Sequence, residues 1–223
     1  MKSEKFSEVI MSAPTMSILP LIRNWRTLAF AGVLGLVLAV LLSFIQPLEY
    51  RSTTRLLITQ ELGDVDAYTS ARSTERIADI LSSVVYSTDV FDKVLSSGYP
   101  IDEAYFPDDE LKRRKRWEHA IVTSVSRSNG YLTITAYHTD VSQAEELVRA
   151  VAYILSTDGW QYVSGGNISV RIIDDPLNSH YPVRPNLLVN GVSGFVLGLL
   201  AGAGYVLIMT ERLRLRHQVV HEE

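Results

Sequence analysis

The densest chemistry in this chain is a run of five cations, Lys112-Arg113-Arg114-Lys115-Arg116. Guanidinium groups bind carboxylates and phosphates through paired hydrogen bonds, and ammonium groups bind them as point charges. Five successive residues wrap more than one helical turn, so the cations cannot all meet one partner. An anionic sugar polymer, a lipid phosphate or an acidic patch on a neighbouring subunit would each suit part of the run. The plainer use is a solvated face. Asp108, Asp109 and Glu110 each stand four residues before a cation, the favourable i,i+4 order. Trp117, Trp160 and Tyr162 carry ring faces that can stack on sugars, although packing is the commoner use of such rings.

Other candidate groups point nowhere as strongly. His217 and His221 share a helical face near Glu222, which supplies too few ligands for a metal site. His119, His138 and His180 are scattered. The acid pairs Asp108-Asp109 and Asp174-Asp175 fit a helix start and a loop as readily as acid–base catalysis. There is no phosphate-cradling G-x-x-x-x-G-K-[ST], no H-E-x-x-H and no G-x-S-x-G. The chain has no cysteine, which excludes disulfides, thiolate metal sites and a thiol nucleophile. Asn167-Ile168-Ser169 fits a glycosylation sequon, a pattern that chance produces often. The expectation is a protein that is not an enzyme, with no cofactor. A net charge of −4 gives no global basic field, so nucleic acid is not an expected partner.

Two apolar runs must position whatever lies between them. Leu28 to Ile45 and Leu187 to Met209 contain no charged residue. As helices at ~1.5 Å per residue they extend roughly 27 Å and 34 Å, within the range of about 17–25 residues that crosses a bilayer core of ~30 Å. The first is longer than a signal-peptide core and lacks a small-residue cleavage site, so it reads as an uncleaved anchor. It carries Ala31, Gly35 and Ala39 at four-residue spacing. The second carries Gly194, Gly198 and Gly202 at the same spacing. Such ridges let helices approach closely, within one chain or between copies. Arg23 and Arg26 precede the first run, and Arg212, Arg214 and Arg216 follow the second. The positive-inside rule then places both termini in the cytoplasm of a cell with an inner membrane. The expected parts are a cytoplasmic arm (1–26), a first span (27–45), an extracytoplasmic domain (46–186), a second span (187–209) and a cytoplasmic tail (210–223). Pro14 and Pro20 should limit helix in the arm.

Within 46–186, Tyr50 to Gln60 has the composition of a strand. Ala67 to Tyr86 shows helical apolar spacing. A second helix follows from Ser87 or Thr88 to Leu95, with loop over 99–107 and a third helix opening at Asp108-Asp109-Glu110. Ile121 to Val125 reads as strand, and Ser128-Asn129-Gly130 as a hairpin turn. Tyr131 to His138 shows the clearest strand alternation. A helix capped by Thr139 or Asp140 ends before Gly165-Gly166, and Ile168 to Ile173 is the last strand. Gly63-Asp64 starts a loop, and Asp174-Asp175-Pro176 should leave the domain. Taking the three early helices as one crossover, the order is βαββαβ, an α+β, ferredoxin-like arrangement flanked by two transmembrane helices. Its first and last strands should lie adjacent in the sheet centre, bringing the spans together.

The strand Tyr50-Arg-Ser-Thr-Thr-Arg-Leu-Leu-Ile58 follows the first span. The segment Tyr181-Pro182-Val183-Arg184-Pro185-Asn186 leads into the glycine-rich second span. With this architecture, the chain resembles the Wzz-like chain-length determinants, or polysaccharide co-polymerases, over about residues 20–210. The resemblance implies an oligomeric membrane scaffold that regulates the length or export of a surface polysaccharide made by a separate polymerase. It implies that Pro182, Arg184 and Pro185 form the proline-containing membrane approach, and that Gly194, Gly198 and Gly202 form the glycine-rich span. The long helical arm and the fused kinase of some members have no counterpart here. The chain is more similar to short, kinase-free members, some of which act as adaptors for a separate cytoplasmic kinase. A glycan-sensing domain with the sheet face as receptor is a further alternative.

Overall fold

The computed structural model describes residues 19–61, 67–126, 130–163 and 167–220. The arm through Pro14, the loop start at Gly63-Asp64, the turn residues Ser128-Asn129, Gly165-Gly166 and His221-Glu222 lie outside the described residues. The chain divides into two units, one from residues 1–46 with 186–223 and one from 47–185.

The first unit is helical. Helix α1 (Leu19–Arg23) has Pro20 in its first turn, where a missing N–H removes no helical bond. Pro20, expected to limit helix, therefore helps to start one. Helix α2 spans Trp25–Ser43 and α7 spans Leu187–Val220. The Asn186 carboxamide oxygen accepts from Val189 N at 3.2 Å at the start of α7. Both helices are long and apolar enough to cross a membrane. Large apolar side chains such as Phe30, Leu42, Leu188 and Leu197 stand exposed on them. The backbone of α7 stays helical past Met209 to Val220, so the end of the apolar run is not the end of the helix.

The second unit is a mixed α+β domain. Its elements are β1 (Tyr50–Glu61), α3 (Ala67–Val84), α4 (Thr88–Leu95), α5 (Glu110–Ala120), β2 (Ile121–Ser126), β3 (Tyr131–His138), α6 (Val141–Asp158), β4 (Asn167–Ile172) and β5 (Leu177–Asn178). The loop expected over 99–107 contains a 3-10 turn, Glu103–Tyr105, capped by Asp102. The sheet is antiparallel with strand order β2-β3-β1-β4, and β5 also pairs with β1. First and last long strands are adjacent, as expected, but β4 lies at the edge and not in the centre.

Alternation fixes the faces of the sheet. Ser52, Thr54, Leu56 and Ile58 of β1 and Leu132, Ile134, Ala136 and His138 of β3 point inward and are buried. Helices α3 and α6 cover this face with Ile77, Leu81, Leu147, Val151 and Leu155, among others. Each such side chain contributes ~1.5–3 kcal/mol of gross burial. Trp117 of α5 is 2% exposed and donates its indole N–H to Val85 O at 2.8 Å.

Asp174-Asp175-Pro176 does not end the domain. Strand β4 pairs only with Leu56–Glu61, which leaves the first half of β1 without an outer neighbour. Unpaired strand N–H and C=O groups are costly to bury and adhesive when exposed. The returning chain satisfies them: Ile173 N donates to Arg55 O (3.0 Å) and Ser179 N to Arg51 O (2.7 Å). Finally, Glu49 and Arg184 form an isolated bridge.

Candidate functional site

In the helical unit, the two small-residue ridges meet each other. Going up α2 and down α7, Ser43 faces Asn190, Ala39 faces Gly194, Gly35 lies against Gly194 and Gly198, and Ala31 lies against Gly198 and Gly202. The approach is close to backbone contact. A Cβ added to Gly198 would sit 3.0 Å from both the Ala31 carbonyl carbon and Gly32 Cα. One added to Gly202 would sit 2.7 Å from Ala31 Cβ, and one on Gly35 would overlap the Gly194 carbonyl. All six ridge residues read from the sequence, Ala31, Gly35, Ala39, Gly194, Gly198 and Gly202, thus belong to one seam within the chain. Gly32 joins them by accepting the Phe195 ring, which leaves no room for a Cβ. Asn190 Nδ2 donates to Ser43 Oγ at 2.8 Å, and Ser43 Oγ donates to Ala39 O at 2.8 Å. Spacing did not reveal this polar clasp; a lone Asn inside a charge-free run was the available signal.

In the sheet unit, Arg184 is a partner of a buried carboxylate. Glu49 is 3% exposed. Its Oε2 lies 3.5 Å from Arg184 Nη1, and its Oε1 lies 3.3 Å from His119 Nε2. Arg184 Nη1 also donates to His119 O at 2.9 Å, and the guanidinium stacks 3.4 Å over the Tyr137 ring. Backbone bonds from Glu49 N to Arg184 O (2.9 Å), Val183 N to Glu49 O (2.8 Å) and Arg184 N to Glu49 O (3.3 Å) reinforce the pair. Pro182 and Pro185 flank it, half-buried, and the Arg184–Pro185 peptide is cis. Residues that leave the first apolar run and lead into the second are therefore joined by one ion pair and three backbone bonds. Sequence reasoning singled out Arg184 and the prolines as the approach to the second apolar run, not as partners of Glu49, and it missed Glu49, His119 and Tyr137, which lie far from Arg184 in the chain.

Next to this cluster, Tyr105 packs on His138 with ring centroids 4.1 Å apart. Asp140 N donates to His138 Nδ1 at 3.0 Å, which puts the neutral imidazole's proton on Nε2. Burial lowers the His138 pKa below its ordinary value. Burial, and then the Glu49 charge, raise that of Tyr105.

The basic run of α5 is divided by the fold. Arg113 lies over the Phe91 ring (5.3 Å) and Arg116 over the Tyr105 ring (4.8 Å), both half-buried. Lys112, Arg114 and Lys115 are exposed. Among the described residues, no ion pair joins Asp108, Asp109 or Glu110 to the cations. Instead, Asp109 caps α5, its Oδ1 accepting from Lys112 N at 2.9 Å. The cap satisfies an N–H that the helix start would otherwise leave orphaned. Arg113 and Arg114 line a small surface cleft with Tyr86, Phe91 and Trp117. Trp160 is exposed, while Tyr162 bonds to Lys93 and Asp89.

Among the described residues, no group of three or more His, Cys, Asp or Glu could hold a metal ion. The arrangement defines an α+β protein whose sheet domain lies in sequence between two helices long and apolar enough to cross a membrane. No family model matches the chain, and neither does any curated protein.

Proposed function

We propose that this chain is a non-catalytic membrane scaffold that regulates the length or export of a surface polysaccharide through oligomeric assembly, in the manner of the Wzz-like proteins it resembles. The observation that carries this reading is the intrachain seam. Two apolar helices held at backbone contact make a firm anchor for a domain inserted between them, as a geometric scaffold requires. The seam occupies the small-residue ridges, so contacts between copies fall to the exposed sides of the helices and to the domain. The strand order β2-β3-β1-β4, with helices in both crossovers, supports the ferredoxin-like reading of that domain. The basic flanks support an inner-membrane location with the domain outside.

The test combines two measurements in the source organism. Deleting the gene should change the length distribution or amount of surface polysaccharide on a gel. Crosslinking the protein in membranes should give species larger than a monomer. An unchanged polysaccharide together with monomer alone sinks the proposal. Because the chain has no cysteine, Ser169→Cys offers a single label site, and a reagent that cannot cross the membrane should reach it from outside the cell.

The uninterrupted helix from Leu187 to Val220 favours one second reading, an adaptor for a separate cytoplasmic kinase. A helix that runs on past the apolar segment offers a docking element. Removing residues 210–223 would abolish binding of such a partner and leave a pure scaffold working.

A further inference from the structure

The helices of the sheet unit pack on one face of the sheet, and the other face carries an unusual set of side chains. The registers place them in rows across the strands. Tyr137 is beside Arg51; Val122, Thr135, Thr53 and Leu177 form the next row; Ser124, Thr133 and Arg55 follow; then come Ser126, Tyr131, Leu57 and Arg171. Rows recur at about 7 Å, two residues of strand. Thr53 and Thr135 hydroxyls lie 3.2 Å apart, part of a lattice of hydroxyls flanked by guanidiniums.

Three observations decide what this face suits. Residues 46–186 carry 20 acids and 14 Lys/Arg, yet the face presents Arg51, Arg55 and Arg171. Only Arg55 has an acidic partner among the described residues, Asp174, at 3.7 Å with both side chains well exposed. Such a pair is weak and can yield to a better anion. The apolar residues, Val122, Leu57, Ile173 and Leu177, are interspersed with hydroxyls and guanidiniums, unlike the continuous apolar core of a protein–protein interface. Hydroxyls, exposed guanidiniums and a half-exposed Tyr131 ring are the groups that hydrogen-bond sugar hydroxyls, clamp carboxylates and stack on sugar rings.

We infer that the open sheet face is a binding surface for an acidic polysaccharide, with Arg51, Arg55 and Arg171 holding its carboxylates and Tyr131 its ring faces. The inference rests on the polysaccharide reading above and gives it a surface. Arg51 and Arg55 are separated by roughly 13 Å along β1, and Arg171 lies beyond them, so the site takes several sugar units in a row.

The test uses the full chain in detergent with oligogalacturonate, an oligomer of a hexuronic acid, as the probe. Binding is read by calorimetry. Expected are saturable binding that weakens as salt rises, and a loss of at least tenfold in affinity in the Arg51→Ala/Arg171→Ala variant. The Lys112→Ala/Lys115→Ala variant, which removes two exposed cations elsewhere, should bind as the unaltered chain does. Circular dichroism and melting of both variants check their folding, and Arg171→Glu at an exposed position provides an independent test if the double variant is unstable. The inference is overturned if neutral maltohexaose binds as well as oligogalacturonate. It is also overturned if the two double variants lose affinity alike, or if a single-stranded oligonucleotide binds more tightly than the uronate. Absence of binding with an altered polysaccharide in the deletion strain removes the sheet site and leaves the scaffold. Binding with an unaltered polysaccharide does the reverse.

Discussion

The helix seam makes a sharp prediction from a single substitution placed at two sites. Gly204 has open space where a Cβ would go, whereas Gly198 has backbone there: the Ala31 carbonyl carbon and Gly32 Cα, each at 3.0 Å. Ordinary contact begins several tenths of an ångström further out, and backbone cannot swing aside as a side chain can. Gly198→Ala must therefore push α2 and α7 apart. Overpacking of this kind costs ~1–3 kcal/mol. Gly→Ala within a helix also relieves a propensity penalty of up to ~1 kcal/mol at either site. Gly204→Ala should thus be neutral or stabilising, Gly198→Ala net destabilising, with about 2 kcal/mol between them. The assay is titration with sodium dodecyl sulfate in dodecyl maltoside micelles, followed by energy transfer between dyes on Phe44→Cys and Leu188→Cys, which a cysteine-free chain permits without background. If both variants shift the midpoint alike, the ridges do not meet within the chain.

Three further predictions concern the sheet unit. Arg184→Ala leaves Glu49 buried with His119 as its remaining side-chain partner and should cost ~3 kcal/mol or somewhat less in urea unfolding of the full chain; Glu49→Gln made together with it should recover part of the loss. His138 has a folded pKa below its unfolded value, so the unfolded chain takes up the proton first; stability is full above pH ~6.5 and falls as pH drops through that value toward the folded pKa. Melting curves between pH 7.5 and 5.5 should show this slope, and His138→Gln should flatten it. Trp117→Phe removes the buried indole bond to Val85 O and leaves a partial cavity, and should lower stability by ~2 kcal/mol in the same unfolding assay.

Local pattern was enough wherever a side chain's role depends on its near neighbours. The strand Tyr131–His138 announces its two faces by strict alternation, and Asp109 and Asp140 lie at the helix starts that their types suggest. Pro20 was misjudged because its effect depends on position within the turn, which composition does not express. The continuation beyond Asp174 was missed because nothing in residues 173–184 looks like a strand; the demand for pairing comes from β1, more than a hundred residues earlier. The i,i+4 ion pairs at α5 were expected from spacing, but Asp109 turns an oxygen onto the Lys112 N–H at the helix start instead.

Chain chemistry alone determined that there are two apolar helices with small-residue ridges, one domain between them, and a run of five cations, because hydropathy, residue size and charge belong to the residues themselves. Tertiary structure decided which groups spend those properties on each other. It turned the two ridges into one seam, gave Arg184 a buried carboxylate 135 residues away, drew Arg113 and Arg116 onto aromatic rings, and left Arg51 and Arg171 on an open sheet face. These are contacts between distant parts of the chain, set by helix packing and strand register, and no local window contains both partners.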